Sequence, residues 1–218
     1  MTDSKNDNPV KGKFPDKLFS DCGSYFTSYH RQLAEAVAGM DTARLDEAVD
    51  ILATCITDGN TVYSCGNGGS CAISNHLLCD FAKGAQTDTD LKPRIVSLSS
   101  GTEIITAIAN DMDYSEIFIY QLRTCAKPGD VLISISSSGN SENIVKAVRW
   151  AKDNGIKTIA MTGFDGGRSR DLADVPIHVP ARNYGIVEDV HQSVMHSLAQ
   201  FIRHSHVSSN NRPEDLTY

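Results

Sequence analysis

The chain has 218 residues, of which 40% are hydrophobic and 22% charged, and its formal net charge is −7 at pH 7. This composition is typical of a globular domain with a sizeable core, and the negative charge argues against a broad nucleic-acid-binding face. No apolar run approaches the roughly 20 residues that span a bilayer, and the polar first residues lack the apolar segment of a secretory signal.

The six cysteines of the chain contain no Cys-x-x-Cys pair. Most of them fall within predicted strands or helices, so we expect free, buried thiols rather than disulfides. Free thiols persist in a reducing compartment. The protein is therefore predicted to be cytoplasmic, with no membrane partner.

The first part of the chain is predicted to hold two helices. Polar residues and two prolines over residues 1–16 indicate a flexible tail. Apolar residues then recur at helical spacing from Leu18 to Leu33, and a second helix runs from about Asp41 to Ile56. These helices could pack on the chain's own sheet or on a neighbouring subunit, and the sequence leaves both possibilities open.

After residue 60 the pattern alternates short apolar strands with helices. Such strands predict a parallel sheet covered on both faces, and right-handed crossovers make it a doubly wound, flavodoxin-like α/β fold. One domain over residues 17–207 and a C-terminal tail over 208–218 are the simplest division. The predicted strands lie near 61–65, 94–98, 131–135, 157–161 and 175–179, and the predicted helices near 70–83, 102–110, 115–126, 141–154 and 187–204.

One arrangement of strand, hydroxyl-rich loop and helix occurs twice. The first loop is GNGGS at 66–70, and the second is SSSGNS at 136–141. A loop that opens a helix presents free N–H groups and the positive end of the helix dipole, which together bind phosphate. Neither loop matches a Walker or a GxGxxG motif, so we expect no nucleotide cofactor. A tight turn capped by Ser70, or a merely polar second loop, is the structural alternative.

Ionisable side chains follow on two predicted helices. His76 and Asp80 are four residues apart and share a helix face. On the last helix Glu188 and His196 point broadly the same way, whereas His191 points well away from His196. If both helices border the ligand crevice, two histidines and two carboxylates converge there and form a set suited to Zn²⁺ or another borderline divalent ion. These side chains are His76, Asp80, Glu188 and His196. For His76 and His191 a purely structural role is an equally good interpretation.

Four segments together resemble the sugar isomerase (SIS) domain, and more narrowly the phosphoheptose isomerases. They are GNGGS at 66–70, AIANDMDYSEIF at 107–118, SSSGNSENI at 136–144 and VHQSVMH at 190–196. The resemblance covers nearly the whole chain to about residue 204. It implies a homotetramer whose sites lie between subunits and are built partly from the leading helices.

The resemblance also implies roles for individual residues. It places the sugar phosphate on the two loops and on Asp111, and it makes Asp80 and His196 the acid/base pair, with zinc bound nearby in some members. Metal ligands would be His76, Asp80, Glu188 and His196. The full set of predicted substrate-binding residues is Asn67, Gly68, Gly69, Ser70, Asp111, Ser136, Ser137, Ser138, Ser141 and Glu188.

Two of these positions depart from the family pattern. The family has Glu where Asp80 stands, and an aspartate sets its carboxylate about 1.5 Å further back. The family has Gln where Glu188 stands, and a second carboxylate beside Asp80 raises both pKa values unless a cation lies between them. The departures favour a bound metal and leave the choice of sugar open.

The resulting hypothesis is an aldose–ketose isomerase acting on a phosphorylated sugar through an enediol. Sedoheptulose 7-phosphate, converted to D-glycero-D-manno-heptose 7-phosphate, is the first candidate substrate. One alternative is a related SIS isomerase or epimerase acting on another sugar phosphate. A second is a non-catalytic SIS protein that binds the replication initiator DnaA, and the ionisable side chains at both catalytic positions argue against it.

Overall fold

A five-stranded sheet organises the computed structural model, which describes residues 14–207. All neighbouring strands are parallel, and their order is β2-β1-β3-β4-β5. This is the flavodoxin-like order, so the predicted fold is confirmed. The strands are β1 (Thr61–Gly66), β2 (Arg94–Ser97), β3 (Val131–Ser136), β4 (Lys157–Thr162) and β5 (Val175–His178).

The helices fall close to their predicted positions, with one addition. A short helix follows a turn at Gly166 and Gly167, both of which have positive φ, and it is too short to produce a periodic apolar pattern. The end of the helix predicted over 70–83 is a π-helix that continues to residue 85. The helices are α1 (Cys22–Ala38), α2 (Ala43–Thr57), α3 (Gly69–Cys79) with the π-helix Asp80–Ala85, α4 (Thr102–Asp111), α5 (Ile119–Cys125), α6 (Glu142–Asp153), α7 (Gly167–Leu172) and α8 (Tyr184–Ser205), and a 3₁₀ turn covers Tyr114–Glu116.

The core lies in two layers, one on each face of the sheet. Every residue of β1 and β3 is buried, and alternate side chains point to opposite faces. Val131 and Ile133 join the layer that includes residues of α2, α3 and α8, whereas Leu132 joins the layer that includes residues of α6. Burial on both faces explains why the strands are continuously apolar.

The leading helices contact the chain's own domain. Phe14 is buried, and its ring lies 5.0 Å from that of Tyr25 and 5.9 Å from that of Tyr29. The Tyr29 hydroxyl donates to Asp189 of α8 at 2.6 Å. On the outer side of α1, Phe26 remains 61% exposed. Residues 1–13 of the predicted tail and the predicted tail at 208–218 lie outside the described residues.

The cysteines are less buried than the sequence predicts. All six cysteines are free, but only Cys55 and Cys65 are buried, and Cys22, Cys79 and Cys125 are exposed. The expectation of burial was therefore too broad, because cysteines on outer helix faces do not reach the core. None of the helices within the described residues is long and apolar enough to cross a bilayer.

A buried histidine and a partly buried one are expected to make the fold sensitive to acid. Burial lowers the pKa of His191 in α8 and of His178 in β5 to about 4, against about 6.5 in an unfolded chain. Because the folded-state pKa is depressed, this contribution to stability is complete above pH 6.5 and is lost as pH falls towards 4. The free energy of unfolding in urea should therefore fall between pH 7 and pH 5.

The variant His191→Gln isolates this contribution, with the exposed His30→Gln as its matched control. The loss of stability between pH 7 and pH 5 should be smaller in His191→Gln than in the wild type and in His30→Gln. Equal losses in all three proteins would show that His191 does not carry the effect.

Candidate active site

The two hydroxyl-rich loops start side by side at one edge of the sheet. β1 and β3 are neighbours, and their last paired residues are Gly66 and Ile135. This pair is also the point where the strand order reverses, since β2 lies on the other side of β1. Open α/β sheets bind ligands outside the carboxyl ends of the strands at such a point. The predicted convergence of the two loops is therefore present.

The first loop is held at its start by a side chain from the next strand connection. The Ser99 hydroxyl donates to the carbonyl oxygen of Gly66 at 2.9 Å and accepts from its N–H at 3.0 Å. Gly68 has a φ of +55° and precedes α3, whose first turn contains the buried Ser70. A Cβ on Gly66 would collide with the backbone of Ser70. The loop therefore leads tightly into the helix, with the first-turn N–H groups of α3 beside it.

The second loop is held by β4 and by α7. Gly163 donates its N–H to the carbonyl of Ser137 at 2.9 Å, and Ser169 donates its N–H to the carbonyl of Gly139 at 2.9 Å. Within the loop the Ser136 hydroxyl accepts from the N–H of Gly139 at 3.2 Å. The Ser137 hydroxyl is buried and has no hydrogen-bond partner in the part of the chain described. A ligand oxygen is the kind of partner that such a group lacks.

The remaining predicted loop residues are more exposed. Ser138 is half-buried, and its hydroxyl accepts from the N–H of Asn140 at 3.3 Å. Ser141 occupies the N-cap position of α6, yet its side chain makes no capping hydrogen bond. Asp111 lies at the end of α4, exposed, and accepts from the Asn110 amide at 2.8 Å. No hydrogen bond within residues 14–207 joins the Asp111 side chain to either loop.

Two residues that the sequence analysis did not single out join the loops. Asn67 of the first loop and Asn143 of α6 exchange two amide hydrogen bonds, of 2.9 and 3.0 Å. The hydroxyl of Tyr114 donates to the side-chain oxygen of Asn67 at 2.9 Å. Both residues lie inside segments that resemble the SIS family, and this was the only sequence signal that pointed to them.

Three of the four predicted metal ligands form one group. The Nε2 atoms of His76 and His196 are 3.1 Å apart. Asp80 places Oδ1 3.2 Å from the first histidine and Oδ2 3.6 Å from the second. Ligand atoms of all three lie within 4.8 Å of one another. Gln192, which was not predicted, adds an amide nitrogen 2.9 Å from Nε2 of His196, one helical turn away.

Glu188, the fourth predicted ligand, lies elsewhere on α8. Eight residues separate it from His196, a rise of about 12 Å along the helix. Its carboxylate lies against Gly69 at the start of α3, where a Cβ would collide with it. The structure therefore does not bring Glu188 into the group of His76, Asp80 and His196.

Burial shifts the pKa values of Asp80 and Glu188. Burial raises the pKa of Asp80 above its usual range, while His76 and His196 act in the opposite direction. Burial also raises the pKa of Glu188, and the neighbouring Asp189 adds to the shift. A carboxylate with a raised pKa is a better proton acceptor near neutral pH. Asp80 is also the first residue of the π-helix, an irregularity often found at functional sites.

The loops and the histidine group lie at different heights along α3. His76 and Asp80 follow Ser70 by six and ten residues, which is about 9 and 15 Å of helix. Helical rise therefore separates the histidine group from the first loop along α3. A cleft continues from the histidine group towards the end of α8, and it is lined by Asp80, Gly84, His196, Ala199, Gln200 and Arg203.

A doubly wound sheet with hydroxyl-rich loops after β1 and β3, and with a His/Asp group on the flanking helices, defines an α/β domain of the sugar-isomerase class. The SIS domain model matches residues 24–163. The phosphoheptose isomerase of Colwellia psychrerythraea is 41% identical over 161 residues, which is 72% of this chain and 82% of the relative. The phosphoheptose isomerase of Aliarcobacter butzleri is 34% identical over 177 residues, which is 81% of this chain and 93% of that relative.

Solved structures agree with this assignment. The phosphoheptose isomerase GmhA from Neisseria gonorrhoeae superposes with a TM-score of 0.75 at 30% identity, over 83% of this chain and 96% of that one. The phosphoheptose isomerase from Francisella tularensis superposes with a TM-score of 0.75 at 29% identity, over 84% of this chain and 96% of that one. The chain thus belongs to the SIS domain family and, within it, to the phosphoheptose isomerases.

Proposed function

We propose that this protein is an aldose–ketose isomerase that converts sedoheptulose 7-phosphate to D-glycero-D-manno-heptose 7-phosphate. The observation that carries the proposal is the group formed by His76, Asp80 and His196, two of which lie on the helical segment that starts at the first hydroxyl-rich loop. The chain's 41% identity to a protein named phosphoheptose isomerase supports it. That identity also favours the isomerase over another sugar phosphate enzyme and over a DnaA-binding protein without activity.

The loops bind the phosphate of the substrate, and side chains of the histidine group transfer the protons. The phosphate binds to the N-terminal ends of α3 and α6 and to the serine hydroxyls around them. The carbonyl end of the sugar lies towards Asp80, which removes a proton from the carbon next to the carbonyl and returns it to the neighbouring carbon. His196 moves a proton between the two substrate oxygens, so that an enediol forms and collapses.

The same three side chains fit a zinc ion. Two imidazole nitrogens and a carboxylate are ligands that Zn²⁺ accepts, and the buried Oδ2 of Asp80 has no hydrogen-bond partner among the described residues. A bound divalent ion would stabilise negative charge on the substrate oxygens. We propose that His76, Asp80 and His196 hold it.

Zinc binding is expected to depend on His76 more than on Glu188. Titration calorimetry on metal-stripped protein should show His76→Ala weakening Zn²⁺ binding by at least tenfold, because one of three converging ligands is lost. Glu188→Gln should weaken it less, since this carboxylate lies two turns away along α8. Unchanged Zn²⁺ affinity in His76→Ala would contradict the proposed ligand set.

We also propose that the enzyme is a homotetramer of the cytoplasm. Phe26 of α1, Leu78 of α3 and Phe201 of α8 are 61%, 41% and 51% exposed, which supports burial against other copies. The six free thiols support a reducing compartment. Light scattering on the purified chain measures the oligomeric state.

The choice of sugar is tested by comparing substrates of different length. The value of kcat/KM for sedoheptulose 7-phosphate should exceed those for fructose 6-phosphate and ribulose 5-phosphate. The phosphate end is fixed at the loops, so a shorter sugar would place its carbonyl at the wrong distance from Asp80. A higher value for either shorter sugar would reassign the substrate while leaving the isomerase class in place.

A further inference from the structure

The side-chain amide of Asn67 is held by two neighbours from different parts of the chain. Its oxygen accepts from Asn143 Nδ2 at 3.0 Å and from the Tyr114 hydroxyl at 2.9 Å. Its nitrogen donates to Asn143 Oδ1 at 2.9 Å. Asn143 itself is only 2% exposed. Asn67 therefore has little freedom to rotate, although it lies at the ligand-binding edge of the sheet.

A backbone group determines which way these amides face. The N–H of Ile144 donates to Asn143 Oδ1 at 2.9 Å, and a backbone N–H can only donate. The atom it contacts must be the oxygen of Asn143, so the nitrogen of Asn143 faces Asn67. The oxygen of Asn67 then accepts that bond, and its nitrogen donates the reciprocal one.

Tyr114 is fixed in turn by α6. Lys146 lies one turn after Asn143, and its Nζ donates to Ser115 Oγ at 2.6 Å and to Glu116 Oε1 at 2.7 Å. These bonds hold the 3₁₀ turn that carries Tyr114 against the same helix that carries Asn143. Both neighbours of Asn67 are therefore anchored independently of any ligand.

One group of Asn67 remains available. An amide oxygen has two lone pairs and an amide nitrogen two protons, so the three bonds leave a single N–H. We propose that Asn143 and Tyr114 are positioning residues, which fix Asn67 so that it presents this N–H to an acceptor oxygen on the sugar part of the substrate. The inference rests on the proposed function, because that function supplies the ligand.

A double-mutant cycle tests whether Asn143 acts through Asn67. Asn143→Leu is expected to raise KM for sedoheptulose 7-phosphate about tenfold and to lower kcat less, since substrate binding loses an oriented donor. In the Asn67→Ala background the same change should add less than about twofold, because residues that act through one another are not additive. Asn154→Leu, at the exposed end of α6, is the control and should leave KM unchanged.

Two further measurements, the kinetics of Tyr114→Phe and the binding of inorganic phosphate, separate a positioning role from a loss of folding. Tyr114→Phe removes one hydroxyl from an exposed ring, which does not endanger folding, and should raise KM roughly threefold in the wild type but not in Asn67→Ala. Binding of inorganic phosphate should stay the same in Asn143→Leu, which shows that the loops are intact. Additive effects in both cycles, or an unchanged KM in Asn143→Leu, would overturn the inference. A wild-type chain that neither binds nor converts sedoheptulose 7-phosphate would instead contradict the proposed function.

Discussion

Replacing Asp80 by asparagine is expected to lower kcat for sedoheptulose 7-phosphate by roughly 10² to 10⁴-fold, the range that a positioned acid or base contributes. The amide keeps the size of the carboxylate but cannot accept the proton. His196→Ala should produce a loss of similar size. Steady-state kinetics with purified variants measures both effects.

The fold should survive this substitution. The raised pKa of Asp80 means that folding disfavours its charged form, so a neutral amide is not expected to lower the melting temperature at pH 7. Asp90→Asn, at an exposed position, is the matched control and should keep full activity. Asp80→Glu restores the residue that the family pattern has and should retain measurable turnover. Wild-type kcat in Asp80→Asn would contradict the assignment of the base.

Replacing Gly139 by alanine is expected to cost both stability and substrate affinity. Gly139 has a φ of +63°, and an added Cβ would collide with the carbonyl oxygen of Gly166. The left-handed conformation alone costs an L-residue about 1–2 kcal/mol. The collision must also displace the second loop from α7, so we expect a total loss of about 3–4 kcal/mol and at least a tenfold weaker binding of inorganic phosphate.

The variant Gly59→Ala separates the cost of the left-handed conformation from the cost of the collision. Gly59 has a φ of +71°, but an added Cβ there meets nothing within 4 Å. Urea denaturation should show only the conformational cost in this control, and phosphate binding measured by calorimetry should be unchanged. If Gly139→Ala behaves like Gly59→Ala, then contact between the second loop and α7 does not shape the phosphate site.

The sequence predicted those parts of the molecule that depend on local pattern. Short, predominantly apolar runs predicted all five strands, and the two central strands β1 and β3 are buried along their whole length. The four-residue spacing of His76 and Asp80 predicted that they share a helix face, and in the structure His196 of α8 lies next to both. The six residues of α7 were not predicted, because such a short element leaves no periodic signal, and the pattern that predicted a helix over 70–83 did not reveal the π-helix at its end.

The rest of the site depends on distances that a sequence does not contain. Glu188 and His196 point in similar directions around α8, yet the rise of the helix holds them about 12 Å apart. Asn143 and Tyr114 reach Asn67 only because β1 and β3 are neighbours and α6 starts beside the first loop. Their sequence separations of 76 and 47 residues offer no local pattern from which the contact could be read.

The proposed function depends on isomerisation of sedoheptulose 7-phosphate by proton transfer at Asp80. Proton NMR of the purified protein with this substrate in D₂O tests it most directly, with and without added zinc. We expect aldose signals with deuterium at C2 in the wild type and none in Asp80→Asn. A wild-type sample whose ketose signals remain unchanged under both conditions would contradict it.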